Sequence, residues 1–294
     1  MNAIGENDPE LVNLLLILAE HPDEKENIIP GILNKLPWGC HPSLYIEKVK
    51  NPRDRILIRD TIQKSLTFEK IKHDLNILLA EKPPQDFLLK GAFILSFFSD
   101  SINHTYDEFI KEIDNVSAPL IEKINALTGP GEKSRINLFI RYFFKELNFN
   151  GNSENPYYIE NHFINKVLDA KKGGSIVLCI LANAVASRAG IELPVIITAG
   201  HFLLKTNLYN EIPFIDPFLN GKIISERDHM SSVAEKGYDP SIGLIHITSH
   251  LTLLQRLARN LMHTAQMSEY KDSFLFIKEI HEKIKIFIRN NPTL

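Results

Sequence analysis

From Pro9 to about Leu127 the apolar residues recur at helical spacing, as in Ile56, Ile58, Ile62 and Leu66, or Ile110, Ile113, Val116, Leu120 and Ile121, with charged residues between them. This pattern predicts an N-terminal region of amphipathic helices. Pro30-Gly31, Pro37-Trp38-Gly39, Pro52 and Pro83-Pro84 are read as its breakers, because proline removes a backbone donor and fixes the turn. Thr128-Gly129-Pro130-Gly131 is the clearest internal boundary. A further helix is expected from about Glu132 to Leu147, burying Ile136, Phe139, Ile140, Phe143 and Phe144 along one stripe.

After Phe149 the pattern changes. A polar loop leads to a helix expected near Glu160 to Ala170, which Lys171 to Gly174 interrupts. A nearly all-apolar helix is then expected from about Ile176 to Ala189, stopped by Gly190, and its even hydrophobicity predicts burial on most sides. Four β-rich runs follow, Leu193 to Thr198, His201 to Thr206, Ile212 to Ile215 and Lys222 to Ser225, whose short connections suggest an antiparallel sheet. From Leu251 onward the helical period returns, as a closing helical hairpin. The expected architecture is α+β in three parts: a helical N-terminal region (1–130), a central core (131–228) and a helical tail (229–294).

Composition narrows the function. With 33 Lys and Arg against 36 Asp and Glu, the formal charge of −3 leaves no strongly basic surface for a run of phosphates, so neither nucleic acid nor an anionic membrane is an expected partner. The two cysteines, Cys40 and Cys179, form neither a disulfide framework nor a CxxC metal knuckle, which points to reduced cytoplasm. The first residues lack the basic start of a signal peptide, and no run approaches the roughly 18 apolar residues of a membrane span. No cofactor is expected: Gly129-Pro130-Gly131 has neither the spacing nor the preceding strand of a phosphate loop.

The residues with chemical promise come in the order Ser175, His201, Asp216: a helix start, a strand carrying an imidazole and a strand ending in a carboxylate. A nucleophile at a helix N-terminus feels the positive end of the dipole, and neighbouring strands bring a base and its orienting acid alongside. Each residue also has a plainer reading. Ser175 is suited to be an N-cap, His201 to brace the sheet, Asp216 to start a turn before Pro217, and Cys179 to be a small buried hydrophobe. Tyr157-Tyr158 could stack a ligand, although partial burial against the core is expected. His246 and His250 have the spacing of two metal ligands on a helix but no completing acidic or Cys ligand nearby, so no metal site is assigned.

Several segments carry a family resemblance in consistent order. They are Asn161, Asn165 and Val167-Leu168; Lys171-Lys172-Gly173 with Ile176 and Leu178; Ala189 to Pro194; Gly200-His201-Phe202-Leu203-Leu204; Ile215 to Gly221; and Leu254 to Leu261. This stretch resembles the SirB family of bacterial invasion regulators, with its transglutaminase-like (papain-like) core followed by tetratricopeptide-like helices. The resemblance implies that an active enzyme of this fold would carry Cys at the helix start, His on the next strand and Asp on the one after. His201 and Asp216 match the last two positions, whereas Ser175 stands where the Cys would be and where the SirB family usually carries Pro. A helix terminus contributes roughly 0.3–1 kcal/mol to a nearby anion, which assists a thiolate but cannot ionise a hydroxyl. The expected function is therefore a cytoplasmic module that binds a protein or peptide without thiol catalysis. The rival is a hydrolase or acyltransferase using Ser175, His201 and Asp216.

Overall fold

The computed structural model describes residues 8–80, 86–99, 102, 104–129, 131–198, 201–206, 214–235, 237, 246–247, 249–268, 270 and 273–291. The expected break at Pro83-Pro84, together with Pro130, Gly200 and the first part of the strand assigned to 212–215, lies outside them. The helices are α1 (Pro9–Glu20), α2 (Lys25–Lys35), α3 (Ser43–Ile46), α4 (Pro52–Ala80), α5 (Phe87–Leu95), α6 (Tyr106–Asn125), α7 (Glu132–Ile140), α8 (Ile164–Ala170), α9 (Ser175–Arg188), α10 (Glu226–Glu235), α11 (His250–Gln266) and α12 (Phe274–Asn290). The strands are β1 (Asn150–Gly151), β2 (Lys172–Gly173), β3 (Val195–Thr198), β4 (His201–Lys205), β5 (Phe214–Asp216), β6 (Lys222–Ile224) and β7 (His246–Ile247). The fold is α+β, and among the described residues no helix is long and apolar enough to cross a membrane.

The chain divides into two compact units, Met1–Gln85 with Phe93–Phe109, and Asp86–Ala92 with Ile110–Leu294. In the first, α1, α2 and α4 pack around Leu11, Leu15, Ile32, Ile58 and Leu66. Asp8 caps α1 by accepting the Glu10 N–H at 3.0 Å, and Pro9 occupies the first turn, where its missing donor is not needed. Pro30 is no breaker, contrary to the sequence reading: α2 runs through it. The lost hydrogen bond is offset by burial of Ile28, Ile29, Ile32 and Leu33 on one face.

In the second unit α9 is the central helix, with Ile176, Val177, Leu178, Cys179, Leu181 and Ala182 all fully buried. Its end has the expected chemistry. Gly190 takes φ +66°, Gly190 N–H donates to Ser187 O (3.0 Å) and Ile191 N–H to Ala186 O (2.9 Å), a Schellman closure that only a residue at ease with positive φ permits. The chain then turns back into an antiparallel sheet of order β6-β5-β4-β3-β7, whose β3 and β4 pack on α9. A second, two-stranded parallel sheet pairs β1 with β2 just ahead of α9. Helices α11 and α12 pack on each other and close the unit.

Two boundaries differ from the periodicity reading. The helix expected over 132–147 is α-helical only to Ile140 and continues as a π-helical stretch over Arg141–Glu146, which keeps Tyr142, Phe143 and Phe144 all buried. The helix expected near 160–170 is a 3₁₀ turn, Ile159–His162, followed by α8.

Candidate functional site

The sheet register explains why a histidine and an aspartate meet. Leu204 pairs with Ile215 and Lys205 with Phe214, so continuing that register places Leu203 opposite Asp216. His201 lies two residues from Leu203 and therefore shares its face, diagonal to Asp216. His201 Nε2 and Asp216 Oδ2 are 2.9 Å apart, and because an ionised carboxylate only accepts, the ring donates. Asp216 Oδ1 in turn accepts the N–H groups of Phe218 (2.8 Å) and Leu219 (3.1 Å). The carboxylate is thus both the start of a turn and the anchor of an imidazole. The Phe218 ring meets His201 edge-on at 6.0 Å, and the Phe218 carbonyl accepts the Gly151 N–H at 3.0 Å, which ties this turn to β1.

The third residue of the expected set is not joined to this pair. Ser175 is the first residue of α9, not its N-cap: Gly174 holds the cap position in an extended conformation, and no side chain caps the helix. The N-cap reading of Ser175 is therefore corrected. The physical reason is that β2 pairing ends at Gly173, so the extended-to-helical transition falls one residue earlier than the Ser-first pattern suggests. Among the described residues Ser175 Oγ makes no hydrogen bond to His201. Cys179 is fully enclosed, and burial first, then the charge of Asp216, push its thiol well above the ordinary range. A thiol raised in this way is a packing group.

His201 and Asp216 line a cavity of about 300 Å³. Its other polar groups are His229 and Ser232 of α10, and its apolar wall is Phe218, Leu219, Ile224 and Val233. The sequence reading missed the α10 contribution. Its signal was present, since positions 229, 232 and 233 have the i, i+3, i+4 spacing of one helix face directly after β6. His229 is buried and packs edge-on against Phe214 at 5.9 Å.

Other candidates fall out differently. Tyr157 and Tyr158 are 78% and 55% exposed, so the expected burial against the core is corrected: the Asn155–Asn161 bonds fold the loop back on its polar atoms and leave the rings outside. His246 belongs to β7 and His250 opens α11, so the two do not share a helix face. Among the described residues no group of three or more His, Cys, Asp or Glu side chains is arranged to hold a metal ion.

Sequence comparison matches residues 105–259 to the transglutaminase-like superfamily. The chain belongs to that superfamily. Related curated proteins include a UPF0162 protein of Xylella fastidiosa (strain Temecula1), 27% identical over 169 residues, which are 55% of this chain and 56% of the relative. Another is a UPF0162 protein of Vibrio cholerae serotype O1, 35% identical over 96 residues, or 32% of this chain and 35% of the relative. The chain thus spans about half the length of the Xylella relative it matches. No solved structure matches. Within the superfamily frame, α9, β4 and β5 are the elements that carry Ser175, His201 and Asp216.

Proposed function

We propose that this protein is a cytoplasmic, non-catalytic member of the transglutaminase-like superfamily, of the SirB type, whose cleft beside His201 and Asp216 binds a protein or peptide. The observation that carries the reading is the state of the nucleophile position. Ser175 stands at the head of α9 with no bond to the imidazole, and the nearby thiol of Cys179 is enclosed and held protonated. A hydroxyl needs a directly bonded base to attack, because the helix dipole supplies less than about one pKa unit. The His201–Asp216 pair then serves as a polar anchor in a cavity that combines a few polar groups with an apolar wall, the composition usual for a binding pocket. The helical flanks, of which the C-terminal one resembles tetratricopeptide-like helices, supply further partner surface.

The same pair favours one rival, a hydrolase or acyltransferase with Ser175 as nucleophile, His201 as base and Asp216 as orienter. With Nε2 bonded to Asp216, the ring still has Nδ1 to offer a nucleophile. Replacing Ser175→Cys in a Cys40→Ala, Cys179→Ala background separates the two. In a binding module the new thiol titrates near the ordinary value of about 8.5 and alkylates no faster than a free cysteine. A thiolate formed well below neutral pH, with amide turnover that His201→Ala abolishes, would establish the rival.

A further inference from the structure

A helix leaves its first backbone N–H groups without intrahelical acceptors, and a side chain at the N-cap ordinarily takes one of them. In α9 the Leu178 N–H is bonded to Gly174 O, so the N–H groups of Ser175, Ile176 and Val177 lie ahead of the ladder. Gly174 has no side chain to offer, and no other side chain caps this end. The position beside Gly174 is walled by the Asn161 carbonyl and the His162 ring. A Cβ on Gly174 would lie 3.2 Å from His162 Cε1 and 3.3 Å from His162 Nδ1.

That imidazole is 8% exposed, and its Nδ1 is buried with no hydrogen-bond partner among the described residues. A lone pair on Nδ1 turned toward the helix would accept one of its N–H groups, yet no such bond is made. Nδ1 carrying the proton instead adds a donor beside the free N–H groups. A buried donor without an acceptor is costly, about 1–3 kcal/mol, so a proton on the enclosed Nδ1 calls for an oxygen ligand. Burial lowers the His162 pKa to about 4, so the ring donates as a neutral group and the attraction for charge comes from the helix end. Gly174 and Ser175 are only half-buried, whereas Ile176 and Val177 are fully buried. The negative charge of Asp216 is already held by two backbone N–H groups and His201.

We propose that the N-terminus of α9, walled by the ring of His162, is a binding site for a carboxylate group, carried by either a peptide C-terminus or a small carboxylic acid. The assignment rests on the non-catalytic reading above, since an activated nucleophile at Ser175 would need the same space. It is tested separately, by binding alone. In amide-resolved NMR of the full chain, acetate should produce saturable shifts at Ser175, Ile176 and Val177. A dipeptide with a free C-terminus should do the same, and its C-terminal amide should not. Tighter binding of the peptide acid than of acetate assigns the chain terminus; equal binding assigns small acids.

His162→Leu should weaken acetate about tenfold or more, the loss expected for one charge-assisted hydrogen bond, while His162→Asn, which keeps a donor near Nδ1, should retain it. Ser175→Pro removes one N–H at a position where proline suits a helix, and should also weaken binding. No saturable shift in the native protein, or an equal response to the amide, overturns the site whatever the alkylation of Ser175→Cys reports.

Discussion

Asp74 in the first unit and Asp216 in the second are buried carboxylates that accept backbone N–H groups and face a basic side chain, but their surroundings differ. Asp74 bonds to Lys70 one helical turn earlier on α4, both side chains fully enclosed, and accepts the Gly39 N–H at 3.0 Å, while its backbone carbonyl accepts the Trp38 indole at 3.0 Å. Asp216 bonds to a ring whose side chain is 21% exposed and which borders a cavity of about 300 Å³. A carboxylate bonded to a basic side chain is sealed in one place and presented to a cavity in the other. Burial of a charge therefore says little about function by itself; what distinguishes Asp216 is that its partner keeps one side toward open space.

The largest loss of stability is expected at the sealed pair. Lys70→Met leaves the Asp74 charge without its counter-ion in a dry interior and should cost about 3–5 kcal/mol. Adding Asp74→Leu should restore only part of this, because the Gly39 N–H then loses its acceptor. Denaturant unfolding of the single and double variants measures both, and full restoration would mean that Asp74 contributes nothing to the Gly39 turn.

Acid acts on a buried histidine in each unit. Burial holds His41 in the first unit and His162 in the second neutral, with pKa values lowered to about 4. The unfolded chain takes up these protons near pH 6.5, the folded chain only near pH 4. Stability is thus present above that window and lost as pH falls through it, by up to about 3 kcal/mol for each residue. His41→Asn should flatten the pH dependence of unfolding between pH 4 and 6.5, and an unchanged slope would show that His41 is protonated in the native state.

The smallest of the three effects belongs to the open pair. Asp216→Ala strands the Phe218 and Leu219 N–H groups and frees the His201 ring, for about 1–3 kcal/mol. Unlike the Lys70 change, it should also abolish peptide binding in the cleft, read by titration calorimetry on the folded variant. A binding constant that survives would place the partner surface away from the His201 cavity.

Much of this molecule is local and therefore legible from its sequence. The stop of α9 at Gly190, the strands around Val195, His201, Asp216 and Lys222, and the helices of the tail depend on periodicity and on a positive-φ glycine, which are properties of neighbouring residues. So did the order of Ser175, His201 and Asp216, which follows the chain. What depended on distant contacts was hidden. Pro30 stays helical because its neighbours bury Ile28, Ile29, Ile32 and Leu33, and Tyr157 and Tyr158 face outward because Asn155 and Asn161 tie the loop elsewhere. Lys70 and Asp74 stand i, i+4 on α4, and packing from distant segments is what encloses them. Sequence alone determined which residue types stand at these positions, including the serine at the head of α9. Only tertiary structure decided that His201 reaches Asp216, that α10 brings His229 to the same cavity and that His162 closes on Gly174. Each of these rests on burial and register between segments that the chain itself keeps apart.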